Sequence, residues 1–382
     1  MIEQLSIRGY RSIRSLDLDL APLTVVLGPN GVGKTNLYRG LELIQAAAAG
    51  GLSRALAGEG GMASALWAGD GWRDESERET AARARSAKGP VRLELSARID
   101  HLAYALSVGL PNGISEPALP GDAVVREETV TAHAGGRKVT MMSRKGPALS
   151  ARDDAGKMRT VMSDLLMSET ALASVSEPAA FPELLALQRE IGRWRFYHQF
   201  RADPGSPLRG PQAAITSPAL DSDGGNWASV LYTRLYLESS MGSVKGDDVA
   251  RSPITEAVGA AFPGAELGFE TPGQRVEPLL RLPEFHRPFN GLELSDGQLR
   301  MLCLIAALTA LRLPPFLALN EPETSLHPDM IVPLAHLIGH AAPRAQMLVV
   351  THSAALAETL DLDYAAHVVR LTKDRGETVL ED

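Results

Sequence analysis

The stretch GPNGVGKT, residues 28 to 35, constrains the fold more than any other part of the chain. It satisfies the pattern G-x-x-x-x-G-K-[ST] and lies between the apolar run 23–27, typical of a strand, and KTNLYRGLELIQAAAA, typical of a helix. Backbone N–H groups of such a loop surround a phosphate, and the start of the helix adds positive potential. A chance match in a chain of this length is expected roughly once in a hundred cases or less. The loop therefore predicts a nucleoside triphosphate as ligand.

Two side chains of this phosphate loop have predicted roles. Lys34 is expected to neutralise the β and γ oxygens, and the Thr35 hydroxyl can bind magnesium. We therefore predict ATP and Mg2+ as cofactors. The residues predicted to bind nucleotide from this segment are Gly28, Pro29, Asn30, Gly31, Gly33, Lys34, Thr35 and Asn36.

Chain length and net charge limit the kinds of protein that this sequence can be. With 382 residues the chain exceeds what one small core serves, so two lobes or a domain with insertions is expected. A net charge of -8 gives no global basic field, so nucleic acid would have to meet a local patch. The single cysteine, Cys303, cannot form an internal disulfide, and no apolar run reaches the roughly 18 residues of a membrane span. We expect a soluble, cytoplasmic protein with no membrane partner.

Strand and helix signals divide the chain into three predicted parts. Residues 1–200 are expected to carry the phosphate loop and, within 91–143, four strands of an antiparallel β subdomain. A helical stretch is predicted around 160–191, followed by a strand at RWRFYHQF. Residues 201–293 are expected to form an inserted helical/β lobe. In residues 294–382, strands alternate with helices, which predicts a parallel sheet. The charged segment 73–88 is expected to be weakly ordered.

A second motif, LELSDGQLR, precedes a long apolar helix. Ser295 can cap that helix and Gln298, three residues later, can close a capping box, so alone the motif predicts an ordinary helix start. Together with the phosphate loop, however, L-S-x-G-Q resembles the signature of the ABC ATPase superfamily. FLALNE resembles its Walker B strand, and VVTHS places His352 like its switch histidine.

IRGYRSI near the start and NEPETSLHP near the end narrow the resemblance to the SMC/RecF/OLD-like branch. The resemblance implies an α/β fold: a P-loop NTPase of ABC ATPase type, with a mixed-sheet core, an antiparallel β subdomain and an inserted helical lobe. It covers roughly the first 45 and last 95 residues. The 261 residues from Lys34 to Ser295 (295 - 34) leave room for that lobe, and no sustained heptads predict coiled-coil arms. Only 30 residues follow His352, so no nuclease domain is expected.

The resemblance also implies catalytic roles. Glu321 would orient or deprotonate the attacking water, and His352 and Lys34 would complete the catalytic set. Asn320 stands where the branch has Asp; its amide oxygen can still accept a hydrogen bond from a metal-bound water but adds no charge. Gln199 is the candidate for the glutamine between the lobes, and Thr35, Gln199 and Asn320 are the predicted metal-site residues.

The resemblance further implies a homodimer closed around ATP. Ser295, Gly297 and Gln298 of one protomer would contact the γ-phosphate held by its partner, and Arg11 would touch nucleotide. Three function classes follow: an ATPase that acts on DNA or a DNA-bound protein in repair, DNA maintenance or phage defence, a switch for a separately encoded effector, and, least favoured, a transporter motor. Basic stretches such as 83–88 could line a DNA groove or be ordinary surface charge.

Other features favour ordinary structural interpretations. His336 and His340, four residues apart, lack a third metal ligand, so a solvated helix face is favoured. The acidic segment 221–225 predicts a turn rather than a calcium loop. His327 could relay between sites or simply precede a helix.

Overall fold

The computed structural model describes residues 1–69, 92–111, 119, 121–198, 200–240 and 252–381. These form two compact units, each discontinuous in sequence. The first unit contains Met1–Ala21, Gly28–Trp194 and Val369–Asp382, and the second contains Pro22–Leu27 and Arg195–Val368. The predicted linker 73–88 and Gln199 lie outside the described residues. The three-part division predicted above stays a prediction.

The strands are β1 (Ile2–Tyr10), β2 (Ile13–Asp19), β3 (Leu23–Leu27), β4 (Leu93–Ile99), β5 (Leu102–Gly109), β6 (Val124–Ala134), β7 (Arg137–Lys145), β8 (Ala148–Arg152), β9 (Met158–Met162), β10 (Arg195–Tyr197), β11 (Gln212–Ala213), β12 (Glu266–Glu270), β13 (Arg275–Arg281), β14 (Phe289–Asn290), β15 (Phe316–Asn320), β16 (Gln346–Thr351), β17 (His367–Asp374) and β18 (Glu377–Leu380). The α-helices are α1 (Lys34–Ala48), α2 (Leu52–Gly58), α3 (Met62–Ala65), α4 (Ala171–Ser174), α5 (Pro182–Gly192), α6 (Trp227–Ser240), α7 (Pro253–Ala261), α8 (Asp296–Thr309), α9 (Ile331–Ala341) and α10 (Ala354–Tyr364).

The first unit is built on an eight-stranded antiparallel sheet in the order β2-β1-β4-β5-β6-β7-β8-β9. Its strands alternate buried and exposed residues, as in β4, because one face of an antiparallel sheet can remain in water. Helix α1 packs closely on β1: a Cβ at Gly40 would lie 2.4 Å from Cδ1 of Ile7. This contact fixes the helix that begins at the phosphate loop.

Four strands of the second unit run parallel in the order β10-β15-β16-β3. Every residue of β3, β15 and β16 is buried, which explains their continuous apolar sequences. Helix α8 lies deep in the same hydrophobic core, and nearly all its residues from Leu299 to Thr309 are buried. Parallel order places the carboxyl ends of these strands along one edge of the sheet.

The predicted fold class is confirmed, while some local assignments differ. Residues 160–162, at the start of the helical stretch predicted around 160–191, belong to β9, because β9 pairs with β8 at the edge of the large sheet. The hairpin of β12 and β13 lies in the lobe predicted as helical/β, but its two strands were not located in the sequence; Gly268 and Pro278 weaken their strand signal, and pairing over five residues compensates. None of the helices in the described ranges combines the length and the apolar composition of a membrane span.

Candidate functional site

The phosphate loop of the first unit has the backbone that its glycines predict. Gly31 and Gly33 have φ values of 81° and 103°, a region that residues with a Cβ rarely adopt. Helix α1 begins at Lys34, and Gly33 provides no side-chain cap. The first N–H groups of a helix have no intrahelical partner, so this helix start can receive an anion.

Lys34 is nearly fully buried inside this loop. Its ammonium group lies 2.6 Å from the carbonyl oxygen of Gly28 and 3.0 Å from that of Pro29. These two carbonyls thus hold the ammonium group of Lys34 inside the phosphate loop. A phosphate placed on the helix start would exchange these carbonyls for a negatively charged partner, which forms a stronger hydrogen bond with an ammonium group.

A chain of side-chain hydrogen bonds fastens the phosphate loop to β18. The Nδ2 of Asn36 donates to Ser12 Oγ at 2.8 Å, Ser12 Oγ lies 2.7 Å from Thr378 Oγ1, and Thr378 Oγ1 donates to the carbonyl oxygen of Val32 at 2.7 Å. Because an amide nitrogen only donates and a carbonyl only accepts, the hydroxyl of Ser12 must donate to Thr378. Thr378 is completely buried. The conformation of the phosphate loop therefore depends on Thr378 in β18.

Arg11 lies in the turn next to Ser12, with a left-handed backbone (φ 47°). Its guanidinium is paired with the carboxylate of Glu59 at 2.9 Å and lies 5.5 Å from the ring centre of Tyr10. Tyr10 donates its hydroxyl to the same carboxylate. Burial, reinforced by this carboxylate, raises the pKa of Tyr10 far above its usual range. The predicted nucleotide contact of Arg11 would require it to share or leave Glu59.

In the second unit, β15 ends at Asn320 and delivers Glu321 to the carboxyl edge of the parallel strands. The Glu321 backbone has φ 48°, a left-handed conformation that costs an ordinary residue roughly 1–2 kcal/mol. Its N–H donates to the carbonyl of Val350 in β16 at 2.7 Å. Strained residues of this kind concentrate at functional sites because the surrounding structure must hold them.

Asn320 is 4% exposed, and its amide nitrogen lies 2.7 Å from Nδ1 of His198. An amide nitrogen only donates, so this pair requires the His198 tautomer with its hydrogen on Nε2. Asn320 Oδ1 is buried without a hydrogen-bond partner among the described residues. A buried oxygen that accepts no hydrogen bond fits a site for a metal-bound water. His198, which follows β10, was not predicted as a site residue.

His352 follows β16 and lies between two carboxylates. Its Nδ1 is 3.8 Å from Oε1 of Glu321 and 3.3 Å from Oε1 of Glu323. Glu323 is buried, and its Oε1 also accepts hydrogen bonds from the Thr351 hydroxyl and from the His352 backbone N–H. The structure thus joins the predicted residues Glu321 and His352. Glu323 was not predicted, although its place two residues after Glu321 in NEPET was a visible signal.

The predicted signature segment has the helix start that its sequence suggests. Ser295 Oγ accepts from the N–H of Gln298 at 3.2 Å, and Gln298 Oε1 accepts from the N–H of Ser295 at 2.9 Å, which completes a capping box. Ser295 itself is exposed. Gly297 lies so close to the loop after Glu321 that an added Cβ would be 2.6 Å from the carbonyl oxygen of Ser325. The helix that begins at Ser295 and the loop after Glu321 are therefore in direct contact.

Arg209 holds the segment before this helix in place. It is 6% exposed, and its guanidinium donates to the carbonyls of Leu294 and Gly291 and to the carboxylate of Asp296, the last at 2.6 Å. It also donates to the carbonyl of Ala202. No sequence pattern indicated this role, because Arg209 is 87 residues from Asp296.

The histidines and the acidic turn noted in the sequence make local contacts. His336 Nδ1 is 2.9 Å from the hydroxyl of Tyr364, and His327 caps a short 3-10 turn by accepting from the N–H of Asp329. In the 221–225 turn, a carboxylate oxygen of Asp223 accepts from a backbone N–H. Within the described ranges no three His, Cys, Asp or Glu residues are grouped as metal ligands.

Comparison with known proteins places these features in context. Residues 239–358, less than half of the chain, match the family described as "AAA domain, putative AbiEii toxin, Type IV TA system". A stretch of 44 residues is 41% identical to an OLD nuclease of Thermus scotoductus. That stretch is 12% of this chain and 8% of the nuclease, so the chain matches only a small part of that relative.

Solved structures resemble the whole chain. An Smc head domain from Pyrococcus furiosus, with an extended coiled coil and bound to the C-terminal domain of ScpA, is similar with a TM-score of 0.51 and 12% identity, over 100% of this chain and 95% of that chain. An SmcHead bound to the C-winged helix domain of ScpA gives a TM-score of 0.50 and 14% identity, over 100% and 97%. At these identities the likeness concerns the fold.

The fold is that of an ABC-type P-loop ATPase. Within that class, the ordered motifs and the three kinds of similarity confirm the resemblance to the SMC/RecF/OLD-like branch. Among the described residues the longest helix has 15 residues, so the part of the chain that the structure describes contains no coiled-coil arm.

Proposed function

We propose that this protein binds ATP with magnesium, closes as a homodimer around it and hydrolyses it. The observation that carries the proposal is the arrangement at the end of β15, where a strained Glu321 lies 3.8 Å from the imidazole of His352. β3, two strands away across β16, leads without a break into the phosphate loop at Gly28. The order of the motifs along the sequence, which resembles that of the ABC ATPase superfamily, supports the proposal that the phosphate loop and Glu321 act on one nucleotide.

Each side chain has a separate task in this proposal. Lys34 and the start of α1 bind the phosphates, Thr35 and Asn320 hold the metal and its waters, and Glu321 orients or deprotonates the attacking water. When bound, Mg2+ neutralises charge that develops on the phosphate oxygens. The unpartnered, buried Oδ1 of Asn320 fits its part, because it is an acceptor directed at no other described residue. An uncharged amide should hold magnesium more weakly than a carboxylate.

The exposed start of the signature helix supports the proposal of dimer closure. Ser295 is exposed and its hydroxyl oxygen accepts from Gln298, so the hydroxyl hydrogen remains available to a phosphate of the partner protomer. Ser295→Arg should leave nucleotide binding nearly intact and stop ATP-dependent dimerisation. Light scattering would measure this, and an unchanged dimer mass would count against the dimer proposal.

ATP hydrolysis is tested with the wild type and three variants. Wild type should release phosphate from Mg-ATP, Lys34→Ala should lose both binding and turnover, and Glu321→Gln should bind ATP but turn over at least about a hundredfold more slowly. Lys373→Ala, which removes an exposed lysine from β17, is the matched control for loss of charge. Equal rates for wild type and Glu321→Gln would remove Glu321 from the mechanism.

We propose that closure of the dimer acts on DNA or on a DNA-bound protein, in repair, DNA maintenance or phage defence. Stimulation of turnover by single- or double-stranded DNA, with an affinity that falls steeply with salt, would support this. The second candidate is a switch that presents a surface to a separately encoded effector. Asn320 favours it, since a weaker magnesium site predicts slow turnover. A rate of ATP turnover that DNA does not change, with dimerisation still driven by ATP, would favour the switch.

A further inference from the structure

The buried carboxylate of Glu323 has no task in the hydrolysis scheme above, yet it is the centre of the turn that carries His352. Its Oε1 accepts from the Thr351 hydroxyl and from the His352 N–H at 3.1 Å, and lies 3.3 Å from His352 Nδ1. Its Oε2 is buried without a hydrogen-bond partner among the described residues. A carboxylate is rarely buried in this way unless its charge interacts with something.

The network continues from Glu323 into α10. Thr351 Oγ1 accepts from the N–H of Ser353 at 2.9 Å, and Ser353 Oγ accepts from the N–H of Leu356 in the first turn of the helix. Glu323 lies in the loop after β15, and its carboxylate therefore holds the turn that follows the neighbouring strand β16. The two loops cannot move independently while this carboxylate is in place.

The charge of Glu323 acts on one group in particular. Two of its donors, a hydroxyl and a backbone N–H, would be satisfied equally well by a neutral amide oxygen. The imidazole is different, because a carboxylate facing Nδ1 holds the ring hydrogen on that atom and fixes the ring plane. The opposite nitrogen, Nε2, is then directed away from Glu323, and His352 remains 42% exposed on that turn.

We propose that Glu323 is a positioning residue for His352: its carboxylate orients the imidazole through Nδ1 so that Nε2 meets the γ-phosphate during hydrolysis. This inference rests on the proposed ATPase function and deepens it. A carboxylate that only stabilised the turn would be replaceable by glutamine, whereas a carboxylate that orients the imidazole would not be.

A double-mutant cycle separates these two roles. Glu323→Gln should lower kcat by about 10- to 100-fold, as when the hydrogen-bond partner of a metal-binding histidine is removed, and leave the Kd for ATP within about twofold. In a His352→Ala background the same substitution should change kcat by less than about twofold, since its target is gone. Glu358→Gln, an exposed change on α10, should leave kcat unchanged in both backgrounds.

The opposite results overturn the proposal. An equal loss of kcat from Glu323→Gln with and without His352 would mean that Glu323 acts on the fold alone, and an unchanged kcat would mean that its charge is not used. If Glu323→Gln does not fold, Glu323→Asp replaces it in the same cycle, because the shorter side chain keeps the charge but withdraws it from Nδ1. A wild-type chain without turnover would overturn the proposed function and this inference together, whereas a normal Glu323→Gln rate beside an active wild type overturns only the inference.

Discussion

Removal of the Thr378 hydroxyl should weaken nucleotide binding although Thr378 is itself no phosphate ligand. In Thr378→Val the carbonyl of Val32 loses its donor and Ser12 loses its acceptor. Ser12 is only partly buried and can turn to water, so the main cost is the orphaned carbonyl, roughly 1–3 kcal/mol. If that whole cost raises the free energy of the loop conformation that binds phosphate, ATP affinity drops by about 5- to 150-fold.

Nucleotide affinity is best measured by calorimetry in a Glu321→Gln background, where hydrolysis does not consume the ligand. Thr378→Val should raise the Kd at least about fivefold. Thr378→Ser, which keeps the hydroxyl, should bind like the parent, and so should Thr372→Val, an exposed threonine on the paired strand β17. A folded Thr378→Val protein with parental affinity would refute the idea that this hydroxyl holds the loop.

Three further predictions concern the second unit. Gly297→Ala should reduce ATP turnover at least about tenfold with unchanged helical circular dichroism, because alanine favours the helix but its Cβ would collide with the carbonyl of Ser325 at 2.6 Å. Trp227→Phe should lower the free energy of unfolding by roughly 2–4 kcal/mol, measured by urea denaturation, because the fully buried indole donates to the carbonyl of Leu208. Cys303 is fully buried, and burial raises the pKa of its thiol, so alkylation should be at least about a hundredfold slower than in the urea-unfolded chain; equal rates would place this thiol outside the core.

The parts of the molecule that sequence predicted are those set by local rules. The phosphate loop could be recognised because left-handed backbone at Gly31 and Gly33 demands glycine, and the sequence records that demand. The capping box at Ser295 depends on a spacing of three residues, and the buried parallel strands on continuous apolar runs. These signals fixed the order of the motifs and hence the fold class.

The side chains that support those motifs left no comparable signal. Ser12 and Thr378 are 366 residues apart, and Asn320 and His198 are 122 apart, so only the fold brings each pair together. Arg209 belongs to the same group, because it could not be distinguished in sequence from an arginine on the surface. Edge strands such as β9 were missed for a related reason: their pairing partner, rather than their own composition, makes them strands.

Asn320 stands where the resemblance implies an aspartate, and this difference affects how the site should bind magnesium. In place of a charged side chain, the end of β15 presents an amide whose nitrogen is used by His198 and whose oxygen is buried and unpartnered. Asn320→Asp should therefore tighten magnesium binding, seen as a lower magnesium concentration for half-maximal turnover. A higher requirement for magnesium would show that the amide is better matched to this site than a carboxylate.

The most direct measurement is the molecular mass of Glu321→Gln in solution with and without Mg-ATP, beside the same protein carrying Ser295→Arg. Glu321→Gln alone should double in mass when Mg-ATP is added, since it binds nucleotide without consuming it, and the Ser295→Arg protein should stay a monomer with ATP bound. A chain that remains monomeric in both forms, with no ATP bound at millimolar concentration, would contradict the proposal that two phosphate loops close around two nucleotides.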